Sequence, residues 1–200
     1  MKINRIQPFN HSINFGGVAQ SKPAQNFATI EKSDYPPFIK EHMKRISSCN
    51  VEHGLVFTKE GALIGREFIG DKHTLPINEE LDELIEKHPG CIVIHNHPHM
   101  CNKGQALPVT FADAFYIGCR GASEIVATHP DGTYSSAKWL PGENSEINYD
   151  GIDLCRDIMT MNLFNDFDVK LYNKYGHLRD ELWRKYAEKL GVIYTNTYNY

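Results

Sequence analysis

The stretch Cys91-Ile-Val-Ile-His95-Asn-His97-Pro98 decides how this chain is read. Residues 91–94 form a continuous apolar run behind the turn signal His88-Pro-Gly90, which suits a central strand buried on both faces. Extended backbone sends alternate side chains to opposite sides, so His95 and His97 point the same way. Imidazoles placed like this can grip one metal ion together, and imidazole suits zinc, copper, iron and nickel. Pro98 cannot donate to a ladder and turns the chain away. The spacing alone fits two polar residues at a strand exit equally well, so the neighbouring segments must decide.

Downstream, Thr110-Phe-Ala-Asp113 opens a helix expected from about Val109 to Cys119. A catalytic zinc site usually takes three protein ligands and keeps a fourth position for water. Asp113, one turn into a helix that begins beside the strand end, can be the third. It also reads as part of a near capping box with Thr110 as N-cap, and the two roles are compatible. Such a site needs a base, since the metal lowers the pKa of its water to roughly 7 and a carboxylate then relays the proton. Glu52, just ahead of the apolar run Gly54–Phe57, stands at a strand mouth; Glu60 in a turn and Glu67 on a return strand are its competitors. There is no H-E-x-x-H, no H-x-E with P-C-x-x-C, no G-x-S-x-G and no phosphate-cradling glycine loop.

Further out, His53–Thr58 and Ala62–Ile69 make a hairpin around Lys-Glu-Gly, and Thr74–Ile77 a short extended piece. Asn78–Lys87 carries Leu81, Leu84 and Ile85 at helical spacing behind an Asn N-cap. Ser123–Thr128 and Thr133–Ala137 are strands around the turn Pro130-Asp-Gly132. Phe38–Ser47 is a short helix, residues 150–172 and 178–190 are helical, and Val192–Tyr194 is a last strand. Strands interleaved with helices favour a three-layer α/β domain with a mixed β-sheet. The expected organisation is a flexible tail over residues 1–33, a core over 34–140, and a C-terminal helical segment over 141–200 packed on that core.

The 200 residues are 41% hydrophobic and 23% charged, enough for a core without disulfides. A net charge of -4 argues against a general grip on nucleic acid. Five cysteines, scattered and without C-x-x-C, suit reduced thiols in a cytoplasmic compartment. No apolar run approaches the ~20 residues that span a bilayer, and the N-terminus lacks a secretory h-region, so a soluble intracellular protein is expected.

Taken together, Glu52 ahead of the first strand, His95-Asn-His97-Pro98 and Thr110-x-x-Asp113 resemble the JAMM (MPN-plus, or JAB-domain) metalloproteases. The resemblance covers roughly residues 50–137, and its His-Asn-His-Pro form is most similar to bacterial and phage branches, including the RadC-like group. It implies a mixed sheet between helices, similar to cytidine deaminases. It also implies one zinc ion held by His95, His97 and Asp113, with Glu52 as general acid and base. The family serine that steadies the carbonyl oxygen falls on Thr110, which keeps the hydroxyl but adds a methyl and stiffens χ1. The stretch from His97 to Thr110 is several residues longer than the family's and brings His99, Cys101 and Lys103 near the site. Family members remove ubiquitin or ubiquitin-like tags or trim peptides, which implies a protein or peptide substrate for a zinc-dependent metallopeptidase or isopeptidase. Two other functions fit the same fold: a non-catalytic MPN-type scaffold, and a DNA-associated role like the RadC group's.

Overall fold

The computed structural model describes residues 35–75, 78–98, 106–140 and 175–198. Among them, four helices and six strands follow in the order α1 (Pro37–Ser47), β1 (His53–Phe57), β2 (Leu63–Ile69), α2 (Glu79–Lys87), β3 (Ile92–Asn96), α3 (Phe111–Gly118), β4 (Glu124–Thr128), β5 (Tyr134–Trp139), α4 (Gly176–Tyr186) and β6 (Val192–Asn196). The strands form one mixed sheet in the order β2-β1-β3-β4-β5-β6. Every neighbouring pair is antiparallel except β3 and β4. Parallel strands need a crossover, and residues 97–123, with α3, provide it.

Alternation along the central strands sorts their side chains into two cores. Leu55, Phe57, Ile94 and Val126 pack against Ile39, Met43 and Ile46, which recur on one side of α1. Val56, Val93, Ile125 and Ala127 face the opposite way, onto Leu81 and Ile85 of α2, Phe111 and Ile117 of α3, and Trp183 of α4. The architecture is therefore a three-layer α/β arrangement, as the interleaved pattern predicts. Each fully buried Leu, Ile or Phe contributes about 1.5–3 kcal/mol of hydrophobic stabilisation.

Local chemistry explains where the elements begin. Asn78 caps α2, its Oδ1 accepting from the Leu81 N–H at 3.0 Å, and Glu79, Glu80 and Asp82 place negative charge in the first turn. α1 starts behind Pro36 with Pro37 at its first position, where the missing N–H costs nothing. Gly54 permits a close approach on β1: a Cβ there would lie 2.6 Å from Leu75 Cδ2.

Several boundaries differ from the sequence reading. β3 runs from Ile92 to Asn96, so His95 lies inside the ladder, opposite Gly54 on one side and Ala127 on the other. Partners on both flanks carry the strand further than its apolar run. α3 starts only at Phe111, because the Val109 N–H is taken by Ser135 Oγ at 2.8 Å and Thr110 is the cap. Thr74 and Leu75 belong to no strand, and α4 covers Gly176–Tyr186 rather than residues 178–190. The last strand, expected over Val192–Tyr194, is present and longer: β6 runs to Asn196 as an edge strand of the main sheet, paired with β5 from Trp139↔Val192 to Ser135↔Asn196. The helix expected over 150–172, the N-terminal tail and the loop bearing His99, Cys101 and Lys103 lie outside the described residues. No helix among the described residues is long and apolar enough to cross a membrane.

Candidate metal centre

Period-2 geometry puts Val93 and His95, and His97 just past the strand, on the α3 side of β3. Both imidazoles are buried, with 3% of His95 and 7% of His97 exposed. Their Nε2 atoms lie 2.9 Å apart. Asp113 Oδ2 completes a triangle, 3.8 Å from His95 Nε2 and 3.9 Å from His97 Nε2. Among the described residues this is the group of His, Cys, Asp or Glu able to hold a metal ion, with its donor atoms within 4.8 Å of one another. For comparison, a tetrahedron with zinc–ligand bonds of about 2.0–2.1 Å has edges of roughly 3.3 Å.

The tautomer at His97 is set by its other nitrogen. Nδ1 lies 2.6 Å from the Leu107 carbonyl oxygen, which can only accept, so Nδ1 carries the proton and a neutral ring leaves Nε2 bare. Burial pushes the His95 and His97 imidazoles below their ordinary range, and for His97 the neighbouring His95 and Arg179 charges add to this. Neutral rings are the form that binds metal. The bare Nε2 of His97, its neighbour at 2.9 Å and the carboxylate opposite are a donor set that a borderline cation fits.

Thr110 and Asp113 form a reciprocal capping box. The Asp113 N–H donates to Thr110 Oγ1 at 2.9 Å, and the Thr110 N–H donates to Asp113 Oδ2 at 2.9 Å. The oxygen that caps α3 is thus the one facing the imidazoles, so the cap fixes the third donor in place. The capping role of Asp113 is thus compatible with its place in a group that could hold a metal ion.

Glu52 is 8% exposed and lines the same cavity as His95, His97, Thr110 and Asp113. Burial first, and the Asp113 charge second, push its carboxyl from the ordinary 4.5 up to about 8, against a backbone hydrogen bond from Leu75. Its rivals are engaged elsewhere: Glu60 is exposed, and Glu67 is bound by Arg45 at 3.0 and 2.8 Å and by His53 Nδ1 at 2.5 Å.

Sequence reasoning misses three participants. Asn96, fully buried between the two histidines on the opposite face of β3, accepts from the His53 N–H at 2.6 Å and donates to the Val51 carbonyl at 3.0 Å. These bonds bracket Glu52 and tie its segment to β3. Arg179 on α4 lines the cavity and donates to the Pro108 carbonyl at 3.2 Å, while Trp183 Nε1 donates to the Val109 carbonyl at 2.7 Å. α4 therefore clamps the segment that carries both Leu107, the partner of His97, and Thr110. His129 is 1% exposed, with its ring 6.2 Å from that of His97, and burial lowers it to about 4. The sequence does hold a signal for Asn96, since an amide inside a buried strand must find partners. Arg179 and His129 reach the site only through the tertiary fold.

No protein-family model matches the chain, and no curated protein matches it.

Proposed function

We propose that this protein is a zinc-dependent hydrolase of JAMM type that cleaves a peptide or isopeptide bond. The observation that carries the reading is the convergence on one cavity of a buried His95–His97–Asp113 donor triangle, the Glu52 carboxyl and the Thr110 hydroxyl. The matching order of Glu, His-x-His-Pro and Thr-x-x-Asp along the chain supports the JAB-type fold.

His95, His97 and Asp113 would hold the ion, and a bound zinc supplies Lewis acidity that acidifies water and polarises a carbonyl. Glu52 takes the proton from the attacking water and returns it to the leaving nitrogen, which is the dual work of a general base and acid. Its raised pKa suits the second half of that cycle, because a carboxyl titrating near 8 is a competent proton donor at neutral pH. Asp113, once its charge were balanced by a bound cation, would repel Glu52 less, and Glu52 would then give up its proton more readily to act as a base. The Thr110 hydroxyl, fixed by the cap, supports the oxygen of the carbonyl as it gains charge. Leu107, through the His97 Nδ1 bond, keeps one imidazole aimed.

The test is a screen of peptide and isopeptide substrates with the zinc-loaded protein beside Glu52→Gln. Removing a positioned acid–base group typically costs about 10²–10⁴-fold in rate, and that loss in kcat is expected with metal content unchanged. Equal activity in Glu52→Gln would sink the reading. A protein that takes up zinc but cleaves nothing in the screen would favour the scaffold alternative.

A further inference from the structure

The cavity does not end at the donor triangle. It encloses about 450 Å³ and runs between the sheet and helices α2 and α3, where its walls become apolar: Leu75, Leu81, Val93, Phe115, Ile117 and Ile125. Val93 and Ile125 are paired across β3 and β4 and form the floor, 1% and 3% exposed. Val93 precedes His95 by one pleat repeat on the same face of β3. At about 3.3 Å per residue, the apolar floor begins roughly 7 Å from the donor end. A side chain attached next to a carbonyl held at the donor triangle covers that distance.

A volume of this size falls inside the roughly 300–1,000 Å³ usual for ligand pockets. Its composition separates two kinds of substrate. A glycine beside the scissile bond would leave the half-buried Leu75 and Phe115 facing water, whereas a branched or aromatic side chain would replace that water with apolar contact above the buried floor. Most of the polar lining belongs to Glu52, Thr110, Asp113 and Arg179 beside the triangle and to Lys72, His73 and Thr74 on one loop, while Tyr116 on α3 spends its hydroxyl on Asp82. That division matches a peptide whose backbone sits at the polar end and whose side chain points inward.

From this geometry we infer that the enzyme selects peptides carrying a bulky apolar residue next to the bond it cuts, with that side chain seated between β3, β4, α2 and α3. The inference rests on the hydrolase reading above. It assigns specificity to Val93, Ile117 and Ile125, whose positions are otherwise those of ordinary core residues.

The test uses the zinc-loaded full chain and a series of small hydroxamic acids bearing methyl, isobutyl or benzyl groups, with affinity measured by calorimetry. The chelating head anchors each compound at the metal, so the readout does not depend on turnover. Isobutyl and benzyl compounds are expected to bind at least about tenfold more tightly than the methyl compound, the range typical of added methylenes in an apolar pocket. Val93→Phe, which raises the floor, should compress that ratio towards one. Ile117→Ala, which widens the wall, should shift the preference towards benzyl and serves as the second probe if Val93→Phe fails to fold. Zinc content of each variant checks that the donor triangle is intact. In the corresponding peptides, kcat/KM should favour Leu or Phe over Gly on one side of the scissile bond. Equal affinity across the series in the wild-type protein would overturn the pocket and leave the hydrolase reading standing. Failure of every hydroxamate to bind would overturn both.

Discussion

The two faces of β3 carry buried polar side chains side by side, and they are treated in opposite ways. On the α1 side, Asn96 is fully buried and its amide is spent on backbone: one bond from His53 and two donated, to Val51 and, longer, to Cys49. On the α3 side, His95 and His97 are nearly as buried, yet their Nε2 atoms converge on each other and on Asp113. A buried polar group ordinarily keeps its place because its hydrogen bonds are made within the fold. Asn96 obeys that rule and reads as architecture. The imidazoles and Asp113 turn their donor atoms towards one point, where a cation could satisfy all three at once.

The largest effect expected from this contrast is on linkage to metal. A ligand that binds only the native state adds RT ln(1 + [L]/Kd), so zinc at about 100 times its Kd should add about 2.7 kcal/mol to the wild-type stability. His97→Ala should lose that increment in thermal or denaturant unfolding, and should also lose all hydrolytic activity. An equal zinc response in the variant would show that the ion sits elsewhere.

Asn96→Ala probes the other face of β3. It strands the His53 N–H and the Val51 carbonyl; unsatisfied buried groups cost roughly 1–3 kcal/mol each, and because both residues are half-buried the low end applies, so about 2 kcal/mol of stability should disappear with or without zinc. Because the same bonds bracket Glu52, kcat should fall more than zinc affinity does. A loss of zinc affinity as large as that in His97→Ala would erase the distinction between the faces.

A smaller effect belongs to Thr110. Thr110→Ala removes one half of the capping box and should cost about 1 kcal/mol, read as a lowered denaturation midpoint. Thr110→Ser keeps the hydroxyl and should retain both the cap and the activity. If Thr110→Ala had no effect on either, the cap would not be what holds Asp113.

The last effect is in pH. In the metal-free protein Glu52 titrates near 8 against 4.5 for the free group. Below about pH 4.5 the folded and unfolded chains both hold this proton. Between 4.5 and 8 only the folded chain holds it, so this group's contribution to stability falls as pH rises through that window. Glu52→Gln carries no charge to bury, and metal-free Glu52→Gln should melt a few degrees above wild type at pH 9, with the gap closing by pH 5. A gap that is constant with pH would mean that Glu52 is not a buried acid.

Much of this contrast is legible in the sequence because it is local. The apolar run ahead of His95 marks the central strand, period 2 aims the histidines together, and the Asn78 and Thr110 caps mark the starts of α2 and α3. Asp113 is also within reach, since strand, loop and helix are consecutive. Other parts depend on contacts distant in sequence. Glu52 is an ordinary surface acid by composition and becomes buried only because β1 pairs with β3 and Leu75 folds across Gly54. Arg179 arrives from α4, which no local pattern ties to the site. His95 falls inside the ladder because β1 and β4 flank it, a matter of pairing rather than of the run's own length.

Elemental analysis of purified protein decides whether His95, His97 and Asp113 hold one catalytic zinc. Wild type and His97→Ala would be loaded with zinc, freed of excess and measured per chain. About one zinc is expected in the wild type and none in His97→Ala, as a three-ligand site requires. No zinc in the wild type, or the same amount in both proteins, would contradict it.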